Sequence, residues 1–153
     1  MNKMYFLAAL LLTVLLIISC KKEKENNDDS YTYYLVGFDS DNANWRDTGF
    51  VVRTKNQQLI LQADAQLDLP VSERQIVFGN LVSGDGGFNK NASHSFKWHF
   101  NETDWSLVDI TAEIYDGKPF TDVDSDINYW LNTMKRFGAW SSYIKKKLPG
   151  RPQ

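Results

Sequence analysis

Hydrophobic and polar positions divide the chain into three unlike stretches. Tyr5–Ile18 is an almost unbroken apolar run, Lys21–Ser30 (KKEKENNDDS) holds no apolar residue, and patterned segments follow from Tyr31 onward. The first run, about fourteen residues, is short of the roughly 20 that a permanent spanning helix needs. The second cannot bury enough surface to offset its ordering entropy, which predicts a flexible charged tether over 20–30.

Tyr31–Phe38 (YTYYLVGF) is rich in sheet-forming residues and is read as an edge strand or irregular arm spanning 31–48. Asp39–Asn44 is turn material; its acidic spacing lacks the glycine and closing glutamate of a calcium loop. Phe50–Thr54 is a short apolar strand. Asn56 is a good N-cap, and Leu59, Ile60, Ala63 and Leu67 recur at helical spacing until Pro70. Gln75–Ser83 and Ser95–Phe100 predict further strands. Leu107–Tyr115 alternates cleanly, the pattern of a half-buried antiparallel strand.

Val123, Ile127, Trp130, Met134 and Phe137 form one apolar stripe, predicting a helix from Thr121 to Phe137. Asp122, Asp124 and Asp126 suit its first turn. The same aspartates open like an EF-hand loop, but Ile127 and Thr133 stand where glycine and glutamate are required.

The order β-α-β-β-β-α predicts an α+β domain over 49–148, followed by a short tail over 149–153. Its expected form is a mainly antiparallel four-stranded sheet with two helices packed on one face. The open face would carry Lys97, His99, Asp109, Thr111 and Glu113.

Charge and cysteine usage add location. Lys3 precedes the first apolar run, and Ile17-Ile18-Ser19-Cys20 reads as a lipobox, making residues 1–19 a lipoprotein signal peptide. Cys20 is the single cysteine, so the mature chain forms no internal disulfide and its thiol is available for acylation. Each buried methylene contributes roughly 0.8 kcal/mol, so two or three acyl chains would hold the protein in a bilayer. The expected location is the cell envelope, at the outer membrane. The net charge of -2 lacks the basic excess of a nucleic-acid binder. Lys145-Lys146-Lys147 reads as a solvated face near the end of the chain.

Candidate chemistry is sparse. His94 and His99, five apart, fall on opposite faces of an extended segment and do not make a metal pair. His99 and Glu113 on neighbouring strands would form an acid–base pair, the basis of a small-hydrolase alternative. The glycine-rich turn Gly84–Phe88 is followed by no helix and so is not a phosphate cradle. No cofactor is expected.

Several motifs resemble the small domain that opens the prespore calmodulin-binding protein of social amoebae and recurs in secreted bacterial proteins. They are Gly79–Gly84, Phe88-Asn89, Phe96-Lys97-Trp98-His99-Phe100, Ala112–Gly117 and Phe137-Gly138-Ala139-Trp140-Ser141. The resemblance covers Gly49–Leu148 and implies no catalytic residues. The two cysteines of the family's pattern would fall at Tyr115 and Gly138, and their joint absence here implies that they pair in relatives. Packing of Trp130 and Trp140 on the sheet is expected to substitute.

The resulting expectation is an anchored binding module for a protein or small-molecule ligand. Its surface would be the loop Asp85–His94 with polar sheet residues, namely Asp85, Asn89, His94, His99, Glu113 and Asp116. A second alternative is an inhibitor or immunity-type protein that docks through a strand edge.

Overall fold

A computed structural model describes residues 30–39 and 43–153. The expected signal peptide, Cys20 and the expected charged tether lie outside the described residues.

The chain folds as α+β with mostly antiparallel sheets. Strands β1 (Thr32–Phe38), β2 (Gly49–Thr54) and β8 (Ser142–Lys147) form one sheet in the order β2-β1-β8. Strands β3 (Ile76–Ser83), β6 (Trp98–Val108) and β7 (Arg136–Phe137) form a second in the order β6-β3-β7. A hairpin of β4 (Lys90–Asn91) and β5 (His94–Ser95) completes the strands. This replaces the expected single four-stranded sheet with two three-stranded ones sharing a core.

β1 is the centre of its sheet, so Thr32–Phe38 belongs to the compact domain and is not an edge strand or irregular arm. Its near-continuous apolar run has a physical cause, since both of its faces are covered. Tyr34 and Val36 face the main core with Phe50, Val52 and Ile144. Tyr33 turns the other way, into a smaller cluster with Val51 and Phe88. An edge role falls to β8, whose Lys145, Lys146 and Lys147 are exposed and whose pairing slips at Leu35/Val36. Charged side chains and a bulge discourage strand addition there.

Aromatic rings join the two sheets. Phe50 packs with Trp98, Phe100 and Phe137 at centroid distances of 5.1, 5.4 and 5.8 Å. The buried indoles keep their polar edges satisfied: Trp98 donates to the Pro119 carbonyl (3.2 Å) and Trp105 to that of Arg53 (2.8 Å).

Helix α1 (Gln57–Leu67) starts where the pattern predicts, the Asn56 side chain accepting from the amides of Gln58 and Leu59. The second helical stretch is not an ordinary α-helix. Wide π-type turns over Pro119–Asp124 and Trp130–Met134 flank one α-turn, Ile127–Tyr129. Lys135, at φ 62°, ends it, and Phe137 is buried as a residue of β7. The apolar stripe is real, but its last member belongs to a strand.

The expected strand Leu107–Tyr115 stops at Val108. Val108 pairs with Ile76, the first residue of β3, so beyond it the ladder has no partner. Ile110 and Ile114 are exposed, and Glu113–Tyr115 is a single 3-10 turn. Alternation alone cannot supply a neighbour. Among the described residues no helix is long and apolar enough to cross a membrane.

A candidate binding cleft around Trp140

After β7, the chain reverses through a tight turn over 139–142. The Ser142 amide donates to the Ala139 carbonyl at 2.9 Å. Three other parts of the molecule hold this turn. The Trp140 amide donates to Asp116 Oδ1 (3.0 Å), and the Ser141 carbonyl accepts from the Asp39 amide (2.9 Å). Ser142 Oγ accepts from the Val77 amide (3.2 Å). Ala139 and Ser142 are buried, yet the Trp140 side chain stands 56% exposed. Trp140 therefore does not pack on the sheet as expected; Trp130 does, its ring 5.7 Å from Phe137.

Trp140 is one of several exposed large hydrophobic residues, set apart by the number of anchors on its turn. Trp45, also exposed, differs: the Arg46 guanidinium covers its face at 4.6 Å. Among the described residues no ring or cation stacks on Trp140.

Trp140 overlooks a cleft of about 370 Å³ whose walls include Asp39, Ser72, Arg74, Ser141 and Tyr143. Arg74 is engaged internally. Its Nε, Nη1 and Nη2 donate to the carbonyls of Leu69 (2.9 Å), Ile144 (2.7 Å) and Leu67 (3.2 Å). They thereby tie the end of α1 to β8. Its guanidinium also lies 5.7 Å from the Tyr143 ring centre.

The residues expected to bind ligand do not form one surface. Asn89 is fully buried; its Oδ1 accepts from Val51 N (2.9 Å) and its Nδ2 donates to Trp98 O (2.8 Å). It is a bolt between sheets. Asp85 Oδ1 accepts from the Gly87 amide (2.8 Å), shaping the turn. His99, 7% exposed, has Nδ1 2.6 Å from the Gly84 carbonyl, an arrangement in which the ring nitrogen donates.

The neighbour of His99 across the ladder is Val82, whereas Glu113 is exposed on its turn beyond β6. The postulated His99–Glu113 strand pair is therefore not formed. His94 lies between the rings of Phe96 and Phe120, with Nε2 3.3 Å from Oδ2 of the buried Asp124. Asp124 also accepts from the Lys97 amide at 2.5 Å, pinning the hairpin to the wide helix. Asp116 alone of the expected set reaches the Trp140 turn.

A second surface feature surrounds Tyr31, Lys55 and Glu102, in a cleft of about 340 Å³. Arg53 Nη2 donates to Glu102 Oε1 at 2.7 Å while its guanidinium lies 4.1 Å over Tyr31. Burial is the largest single influence on the Glu102 pKa and raises it. The Arg53 hydrogen bond, a backbone hydrogen bond and the nearby positive charge together outweigh it and hold the pKa below the usual carboxylate value. Tyr34 is pushed above the ordinary phenol range by burial and by the hydrogen bond its hydroxyl donates to Asp64 Oδ1 at 2.8 Å. Among the described residues no cluster of three or more His, Cys, Asp or Glu could hold a metal ion.

Residue types alone hid the cleft. Its walls come from separate segments, and the Gly138-Ala139 pair before Trp140 was the one local hint of a turn.

The positions where the family's cysteines would fall are neighbours in space, the Gly138 amide donating to the Tyr115 carbonyl at 3.0 Å. Here Phe78 fills the gap. Its ring lies 5.6 Å from that of Tyr115, and a Cβ on Gly138 would come 2.5 Å from Phe78 Cδ2.

No curated protein and no solved structure matches the chain. Residues 33–151 match the model of one family, the N-terminal domain of the prespore calmodulin-binding protein. The match takes in β1 as well as the motifs that carried the resemblance. With most of its length matched, the chain belongs to this prespore calmodulin-binding protein N-terminal domain family.

Proposed function

We propose that this chain is a lipid-anchored envelope protein whose family domain is a binding module, with the Trp140 cleft as its ligand site. One observation carries the binding reading: a tryptophan left in water on a turn anchored by its backbone to Asp116 and Asp39 and by the Ser142 hydroxyl to β3. Rigid presentation removes the ordering cost that a mobile loop would incur on binding. The cleft volume, about 370 Å³, lies at the low end of the roughly 300–1,000 Å³ typical of small-molecule sites. The anchoring reading is supported by the lipobox ending in Cys20.

Two experiments test the two parts. Mass analysis of envelope-extracted protein should find a mature start at acylated Cys20, and Cys20→Ser should release the protein from the membrane fraction. An unmodified amino terminus would remove the anchor from the reading. Envelope extract passed over immobilised wild type and Trp140→Ala should leave material on the former only. Equal capture by both would move the binding surface elsewhere.

A further inference from the structure

We infer that the Trp140 cleft takes a neutral, hydroxyl-rich ligand with one apolar face, the chemistry of a saccharide. The inference rests on the binding-module reading and deepens it by naming the ligand class.

The charges around the cleft select against ions of either sign. Arg74 gives three of its five guanidinium N–H groups to backbone carbonyls, one from each nitrogen, so the paired fork that grips a carboxylate or phosphate is partly spent inside the fold. Asp39 adds the opposite charge. Among the described residues its carboxylate has no hydrogen-bond or ion-pair partner, and it repels an anion directly. A cation meets the reverse problem. The same guanidinium lies 5.7 Å from the centre of the Tyr143 ring, so this ring is already engaged and carries a positive charge beside it. With one positive and one negative group in its walls, the cleft favours a ligand with no net charge.

The remaining surface is suited to hydroxyls and C–H groups. Asp39 accepts hydrogen bonds, and the hydroxyls of Ser72 and Ser141 both donate and accept. The exposed indole of Trp140 offers a flat apolar platform for the C–H face of a sugar ring. A wholly apolar ligand would bury the Asp39 carboxylate without compensation. A saccharide satisfies both kinds of surface together.

Tryptophan fluorescence can test this on the full chain in detergent. Trp98, Trp105 and Trp130 are buried, so in a Trp45→Phe background Trp140 is the tryptophan open to acrylamide quenching. Glucose, galactose, N-acetylglucosamine, maltose and cellobiose are the probes, with glucuronate and choline as charged comparisons. At least one neutral sugar should protect Trp140 from acrylamide. In isothermal titration with that sugar, Trp140→Ala should weaken binding at least tenfold, the effect of removing a large aromatic anchor. Asp39→Asn should weaken it several-fold with the melting temperature unchanged.

Absence of protection by every neutral sugar at millimolar concentration overturns the inference. Tighter binding of glucuronate or choline also overturns it, while leaving the cleft as the site. The assignment of the binding surface to this cleft fails separately, when Trp140→Ala captures the same envelope material as wild type; the binding-module reading itself fails when neither captures any.

Discussion

The 84–99 stretch and the 139–142 turn make opposite use of polar and aromatic residues. The first is rich in residue types associated with binding, yet it turns them inward. Asn89 bridges β2 and β6, His99 holds the Gly84 carbonyl, and Asp85 shapes its own turn. The second contains small, bland residues around one tryptophan, and it sends that ring outward. Buried polar groups must find partners, so a loop laid over a sheet commits its polar side chains to the fold. Ligand contacts are then left to groups the fold does not consume. The comparison teaches that a side chain's availability depends on its partners, which residue type does not reveal.

The largest effect should come from breaking the inward-turned stretch. Asn89→Ala leaves a buried amide and a buried carbonyl unpaired and should cost about 4 kcal/mol, at roughly 1–3 for each orphaned group. Chemical denaturation measures it. A loss below about 1 kcal/mol, the low end for a single orphaned group, would show that Asn89 is not a bolt.

Asp47 is a comparable internal partner outside that stretch. Its Oδ1 accepts from the amides of Phe120 (2.8 Å) and Thr121 (2.9 Å), capping the wide helix. Asp47→Ala should cost about 2 kcal/mol by the same denaturation assay.

Asp116 sharpens the comparison from the other side, because it serves the exposed turn. Asp116→Ala removes one anchor of Trp140 and should cost about 1 kcal/mol, with weaker ligand capture as the second readout. Unchanged capture would show that the other anchors suffice.

Glu102 predicts a pH dependence. Its folded pKa lies below the unfolded value near 4.5, so ionised Glu102 stabilises the protein above that pH. This contribution declines as pH falls from about 4.5 through the lowered folded value. Glu102→Gln should flatten that slope, by well under about 1 kcal/mol for a partly exposed pair. A denaturation series across acidic pH would read it, and an unchanged slope would show that the pair contributes nothing there.

Trp140→Ala should change stability least, within about 0.5 kcal/mol, because the ring stands largely in water. A melting-temperature drop of many degrees would instead make Trp140 part of the core and end its contrast with the inward-turned stretch.

Local elements were legible where neighbouring residues decide them. The Asn56 cap, α1, the strands around Phe50–Thr54 and Ile76–Ser83, and the stripe of Val123 and Trp130 follow from propensity and period. The strand expected at Leu107–Tyr115 was lost at Val108 because β3 begins opposite it. A pleated pattern needs a partner that the segment itself cannot specify. β1 was misplaced for a related reason: an apolar run can cover one face or two, and Phe88 and Val51 arrive on its second face from distant positions.

The cleft was less legible still. Asp39, Ser72, Arg74 and Trp140 span most of the domain in sequence and meet through the pairing of β1 with β8. From the amino-acid sequence alone came the family motifs and the short-range helices and strands, together with the lipobox reading behind the proposed anchor, because each depends on contiguous residues. The tertiary structure decided the two-sheet arrangement, the inward duties of Asn89 and His99, and the exposure of Trp140. Those depend on which distant groups meet, and burial and hydrogen-bond satisfaction act on the assembled chain.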